Sequence, residues 1–239
     1  MRWVPLLRLM PVLLLMAGLV LACGGSDEEP TSTPSPQSLI DAAAARFNEL
    51  DSAHYTLTID GDVYLDSQGM LALRGAEGDL QRPDRATAKA DIGFAGTTLS
   101  VNVVALGQEQ YMTNFLTGRW ERAPEDLDYN PAVVFDPERG IPGVLRDTRD
   151  VTLVGEENLD GAAAYHLRGV VPQAAVAPMT GNAFQGDPID FDLWIDRETS
   201  DIRKVVLHDT AAAQGATPAT WTLVLSKHNE PVTIEKPAT

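Results

Sequence analysis

The spacing of apolar and polar positions changes character several times along the chain. Leu9 to Leu21 is a continuous apolar run. Gly24 to Gln37 then reads Gly-Gly-Ser-Asp-Glu-Glu-Pro-Thr-Ser-Thr-Pro-Ser-Pro-Gln and offers nothing to a core, which marks a solvated tether. From Ser38 to Leu50, Leu39, Ala43, Phe47 and Leu50 recur at helical spacing, with Asp41, Arg46 and Glu49 mostly elsewhere. Pro36 suits a first helical position, and Ser35 or Ser38 can cap the start. From Tyr55 the period becomes two. Tyr55, Leu57 and Ile59 alternate with Thr56, Thr58 and Asp60, and Leu71 and Leu73 continue after a turn at Gln68-Gly69. Ala86, Ala88, Ala90, Ile92 and Phe94 alternate with Thr87, Lys89, Asp91 and Gly93. After the turn Ala95-Gly96-Thr97, Leu99, Val101 and Val103 answer them. Short strands at Gln110–Asn114 and Arg119–Arg122 complete an antiparallel meander with one apolar face.

The middle differs. Asp136-Pro137-Glu138-Arg139-Gly140 reads as a cap and turn before a short helix, Ile141 to Arg146, with Pro142 near its start. Val151–Val154 and Ala163–Val171 read as strands around a turn at Asn158–Gly161. Pro172 to Met179 reads as a third helix, followed by a loop to Pro188. Ile189, Phe191, Leu193 and Ile195 then alternate with Asp190, Asp192, Trp194 and Asp196. Val205 with Leu207, and Trp221 with Leu223 and Leu225, predict two further strands, and Val232 with Ile234 is expected to close the sheet.

A large sheet with one apolar face has only three short helices to cover it. It must curl to bury that face, and a curled sheet with helices in its concave side can enclose an apolar space. The expected fold is therefore mainly β with a few helices (α+β), a curled antiparallel sheet around an apolar cavity. Ala86, Ala88 and Ala90 in succession leave room where a close-packed core would want volume. The expected lining is Phe47 from the first helix, Leu57 and Ile59, Ala88, Ala90, Ile92 and Phe94, and Val101 and Val103. Val144, Leu145, Val176 and Met179 complete it from the later helices, with Phe191 and Leu193 from the last third.

Cys23, the single cysteine, gives this body an address. Arg2 and Arg8, the apolar run and the small Ala22 before Cys23 have the layout of a lipoprotein signal, with Cys23 acylated after the cut. The competing reading is an uncleaved anchor helix, which is short for a span. The expected organisation is signal peptide 1–22, lipidated Cys23 and tether to residue 37, and one domain over 38–239, outside the cytoplasm and held to the cell membrane. The formal net charge is −16. Residues 1–22 hold two arginines and no acid, so the processed chain stands at −18. That charge disfavours nucleic acid and anionic lipid surfaces, so attachment falls to the lipid on Cys23.

Catalytic signals are missing. His54, His166, His208 and His228 have no metal-ligand spacing and read as ordinary polar-face histidines. Asp190, Asp192 and Asp196 lack a calcium-loop pattern and are expected to be spread along a solvated face. No nucleophile elbow, phosphate loop or dinucleotide fingerprint occurs. No catalysis, cofactor or metal is expected.

Ser52-Ala53-His54, Gly78-Asp79-Leu80, Asp136-Pro137 with Gly140-Ile141, Trp194-Ile195-Asp196, and Leu225-Ser226-Lys227 followed by Val232, Ile234 and Pro237 resemble, in order and spacing, the LppX/LprAFG family of lipid-binding lipoproteins. The resemblance implies a U-shaped antiparallel half-barrel with helices against its concave face, similar to the LolA/LolB carriers. It also implies a cavity for acyl chains of lipids or glycolipids, and carriage from the plasma membrane toward the outer envelope. With no nucleotide site, direction would come from gradients or a partner transporter. A monomer is expected. Two other readings stay open: a structural lipoprotein whose core is packed shut, and an escort for the acyl chains of other lipoproteins.

Overall fold

The structure, a computed structural model, describes residues 33–66, 68–124, 130–212 and 215–239. The signal segment, Cys23 and the tether through residue 32 lie outside them. Pro34–Thr239 forms one compact unit.

The first helix, α1, spans Pro36–Asn48, so it begins two residues before the expected domain boundary. Ser35 is its N-cap, its hydroxyl oxygen accepting from the Ser38 backbone N–H, and Pro36 sits where a missing N–H costs nothing. The meander follows as β1 (Ser52–Asp60), β2 (Leu71–Gln81), β3 (Arg85–Phe94), β4 (Thr97–Leu106), β5 (Glu109–Thr113) and β6 (Trp120–Arg122). Pro131–Phe135 is a 3-10 turn and Ile141–Arg146 is α2. β7 (Arg149–Leu159) and β8 (Ala162–Val171) precede α3 (Gln173–Thr180), and β9 (Ile189–Asp196), β10 (Ile202–His208) and β11 (Thr220–Ser226) end the sheet.

The eleven strands of the described residues form a single antiparallel sheet in the order β6-β5-β4-β3-β2-β1-β11-β10-β9-β8-β7. The first and last strands pair in the middle, and β6 and β7 are left as free edges, so the sheet curls without closing. The apolar faces of α1, α2, α3 and the 3-10 turn cover one side of it. α1 buries Leu39, Ile40, Ala43 and Phe47. Its C-terminal carbonyls are met by Arg82, whose guanidinium donates to Phe47 O at 2.9 Å and Leu50 O at 2.7 Å and lies over the Phe135 ring.

Four expectations change. Val232 and Ile234 do not form a strand. Instead Ile234 is buried in the core, and the carbonyls of Val232 and Ile234 accept from the side chains of Gln81 and Arg85. The 3-10 turn at Pro131–Phe135 adds a fourth helical segment, capped by the Asn130 side chain. β7 extends to Leu159, well past Val154. The outward face of β9 is also less solvated than alternation suggests. Trp194, Asp192 and Asp196 are buried there. His166 lies within a polar cluster, its Nδ1 2.7 Å from Glu157 and its Nε2 2.6 Å from Asp192, stacked on Trp194. Asp192 also accepts from Arg168, and Asp196 from Arg203. The carboxylates are thus paired rather than free. Among the described residues no group of histidines, cysteines and carboxylates is arranged to hold a metal.

Candidate functional site: an open apolar cavity

Ladder register builds the floor of the site. Leu193 pairs with Val205, Val205 with Leu223, and Leu223 with Leu57. Leu57 in turn pairs with Ala76, Ala76 with Ala90, and Ala90 with Val101. One continuous row of inward-facing residues therefore crosses seven strands. Directly paired side chains on one face stand close enough to touch, so the row makes an unbroken apolar surface. Ala76 and Ala90 sit side by side in it, and Ala88 follows on β3. Small side chains at those points leave the space that helices would otherwise fill.

That space is a cavity of about 910 Å³. β5 adds Gln110 and Met112, and β10 adds Ile202 and Leu207. The opposite wall is Pro131 and Val134 of the 3-10 turn, Ile141, Val144 and Leu145 of α2, and Val176 and Met179 of α3. The opening lies at the strand ends where β1 leaves and β2 enters. There Asp62, Val63, Tyr64 and Leu65, the stretch Thr180–Ala183 with Gln185, and Asp209 with Gly215–Thr217 form the rim. Rim loops are tied to each other. Asp62 N–H donates to Thr217 O, the Asp62 carboxylate accepts from Thr217 N–H, and Asp209 accepts from the backbone N–H groups of Gln185 and Gly186. No cationic side chain lines the cavity among the described residues.

Twelve of the fifteen expected lining residues border this space: Leu57, Ala88, Ala90, Ile92, Val101, Val103, Val144, Leu145, Val176, Met179, Phe191 and Leu193. Three do not. Phe47 is packed behind the wall against Phe135, because α1 lies on α2 and contributes no lining residue. Ile59 has the right parity but is closed into the core beside Trp221. Phe94 stands at the very end of β3 and is exposed. Sequence reasoning missed Tyr55, Leu73, Ala76, Leu80, Met112, Pro131, Val134, Val205, Leu207, Trp221, Leu223 and Leu225, and the polar rim. Parity alone could have found the strand positions; the 3-10 turn and the rim loops have no period to read.

An antiparallel half-barrel that shelters an open, mostly apolar cavity between its sheet and its helices, with two aspartates at the rim, is the architecture defined here. The chain belongs to the LppX_LprAFG lipoprotein family, whose profile matches residues 35–234. It is 28% identical over 228 residues to the lipoarabinomannan carrier protein LprG of Mycobacterium tuberculosis, covering 93% of this chain and 91% of that one. It is 25% identical to the proposed diacylated glycolipid transporter LprF of Mycobacterium bovis, covering 94% and 88%. The crystal structure of LprF from Mycobacterium bovis superposes with a TM-score of 0.67 at 18% identity, over 85% of this chain and 97% of that one. The crystal structure of LppX from Mycobacterium tuberculosis does so with 0.61 at 17%, over 84% and 98%. These structures share the fold.

Proposed function

We propose that this protein is a non-enzymatic carrier that holds the acyl chains of a lipid or glycolipid in the cavity. The observation that carries this reading is the cavity itself: about 910 Å³, lined mostly by apolar side chains and open at one rim. That is near the upper end of the roughly 300–1,000 Å³ of small-ligand sites. Burying a ~16-carbon chain is favourable by about 0.8 kcal/mol per methylene, roughly 13 kcal/mol gross. A bilayer gives the same shelter, so loading is an exchange near balance and not a capture. The names of the relatives LprG and LprF support a glycolipid as cargo. So does the rim, where the Asp62 carboxylate keeps acceptor capacity for a sugar hydroxyl beyond its bond to Thr217, and no cation among the described lining residues awaits a phosphate.

In this reading Cys23 carries the lipid that anchors the chain outside the cytoplasm, residues 24–33 form the tether ahead of the compact unit, and the cargo is a second, exchangeable lipid. The carrier works as a monomer and moves cargo from the plasma membrane toward the outer envelope, with direction supplied by a gradient or a partner transporter. The test is mass spectrometry of organic extracts of the purified protein, paired with uptake of a fluorescent acyl lipid from vesicles. An acyl lipid at about one per chain is expected. Protein that is lipid-free and takes up none would sink the reading and favour a structural lipoprotein.

A further inference from the structure

The large apolar side chains left exposed are not scattered. Tyr64, Leu65, Met70, Phe94, Phe115 and Leu116 account for six of the eight found among the described residues. Strand directions place all six at one end of the sheet. β1 and β3 run toward that end and β2 and β4 away from it, and β5 runs toward it before β6 returns. It is also the end at which the cavity opens, and Tyr64 and Leu65 border the cavity themselves.

These tips are held in place by polar side chains rather than by burial. The Asp66 carboxylate accepts from the backbone N–H groups of Gln68, Met70 and Leu71, and those bonds, led by Leu71, keep its pKa below the ordinary value. The Asn114 carboxamide accepts from Leu116 and Thr117 N–H, and Asn114 and Arg119 close the turn through their backbones. Leu116 is 81% exposed and Phe115 60% exposed on that closed turn. Large apolar side chains left exposed together at one end of a sheet mark an interaction site.

We propose that this rim is a docking surface for a lipid bilayer, with the six side chains entering the acyl–headgroup boundary so that the cavity mouth meets the membrane. The proposal rests on the carrier reading above, because two of the docking residues, Tyr64 and Leu65, border the mouth through which cargo would pass. Charge says which membrane chemistry suits it. The connections at this end, 61–70, 95–96, 114–119, 147–148, 172–188 and 209–219, hold five aspartates and a single cation, Arg119. Docking is therefore driven by apolar insertion, favours zwitterionic or neutral headgroups, and gains nothing from anionic ones.

Phe115 and Leu116 do not border the cavity, which makes cargo and docking separable in one experiment. The full chain is mixed with dioleoylphosphatidylcholine vesicles containing a phosphatidylcholine with a diazirine in its acyl chain, irradiated, and mapped by peptide mass spectrometry. Adducts are expected on the 113–119 and 61–71 peptides and on the cavity strands β3 and β11. Adducts on the cavity strands without any at Phe115 or Leu116 would overturn the docking surface and leave the carrier reading standing. The reverse pattern would keep the docking surface and remove the carrier. Replacing half the lipid with phosphatidylglycerol is expected to lower the 113–119 adducts; a rise would overturn the apolar mode. The paired substitution Phe115→Asp and Leu116→Asp is expected to slow vesicle-to-vesicle lipid transfer about tenfold with lipid content per chain unchanged. An unchanged transfer rate would overturn the docking surface, and a concentration-dependent dimer by light scattering in place of the 113–119 adducts would assign the patch to a second copy of the chain.

Discussion

Tyr55 Oη donates a hydrogen bond to the carbonyl oxygen of Thr87 at 3.0 Å, reaching from β1 past β2 to β3. Gly78 of β2, the register partner of Tyr55, makes the crossing possible. A Cβ there would lie 2.0 Å from the same Thr87 oxygen. The Asp79 N–H bonds to the Thr87 hydroxyl at this point, so side chains bridge β2 and β3 between the backbone pairs Glu77–Lys89 and Leu80–Ala86. Gly78→Ala is expected to destabilise the protein by about 3 kcal/mol or more, because backbone must move. Tyr55→Phe should cost about 1–2 kcal/mol, the value of one partly buried hydrogen bond. Denaturant midpoints of the two variants would show whether the glycine outweighs the hydroxyl; equal or reversed effects would contradict this account of the crossing.

Phe47 and Ala90 should separate stability from capacity. Phe47 is fully buried outside the cavity wall, so Phe47→Ala is expected to cost about 3–5 kcal/mol while the lipid held per folded chain stays constant. Ala90 lies in the cavity floor, so Ala90→Trp should fill space and lower lipid loading with the fold intact. Circular dichroism melts alongside lipid extraction would read both. Full loading in Ala90→Trp would mean that the acyl chains lie against another wall.

Cys23→Ala tests whether anchor and cargo are distinct. The variant is expected to leave the membrane fraction and to impair transport in cells, with lipid binding in solution unchanged. Loss of binding in the soluble variant would show that the two lipids are not separate.

Acid should loosen the convex face. Burial on its own raises the pKa of Asp192, but hydrogen bonds from His166 and Arg168, together with their charges, hold it below the ordinary 3.8. For Asp196, burial is likewise outweighed by the Thr199 and Glu198 N–H groups and Arg203. A carboxylate with a depressed folded pKa contributes stability that is complete above its unfolded pKa and is lost as pH falls through the folded value. Stability from these groups should hold from pH 7 down to about 4 and decline below. Asp192→Asn is expected to cost about 2 kcal/mol at pH 7 and much less at about pH 2.5. Urea titrations at both pH values check this; a constant difference would argue against ionic pairing at Asp192.

The strands were legible wherever one face met the core and the other met water, because alternation records that environment directly. β3 and β4 are the clearest case. β7 was read too short because Gly155, Glu156 and Glu157 carry no apolar signal, and pairing with β8 extends the strand regardless. Val232 and Ile234 show the converse. Their alternation is real, yet only Ile234 enters the core, and side chains of Arg85 and Gln81 take the carbonyls that a neighbouring strand would have taken. For the site, parity separated inside from outside but could not give height along a strand. Ala90, in the middle of β3, lines the cavity, whereas Phe94 on the same face is at the rim. The placement of α1 behind α2, which removes Phe47 from the wall, depends on contacts between elements far apart in sequence and leaves no local trace.

The sheet order ends on β6 and β7, and among the described residues no hydrogen-bonded seam joins them. A closed barrel has its radius set by strand number and stagger. Here no such closure fixes the radius, so in the proposed carrier role the girth of the cargo is not set by strand number and stagger.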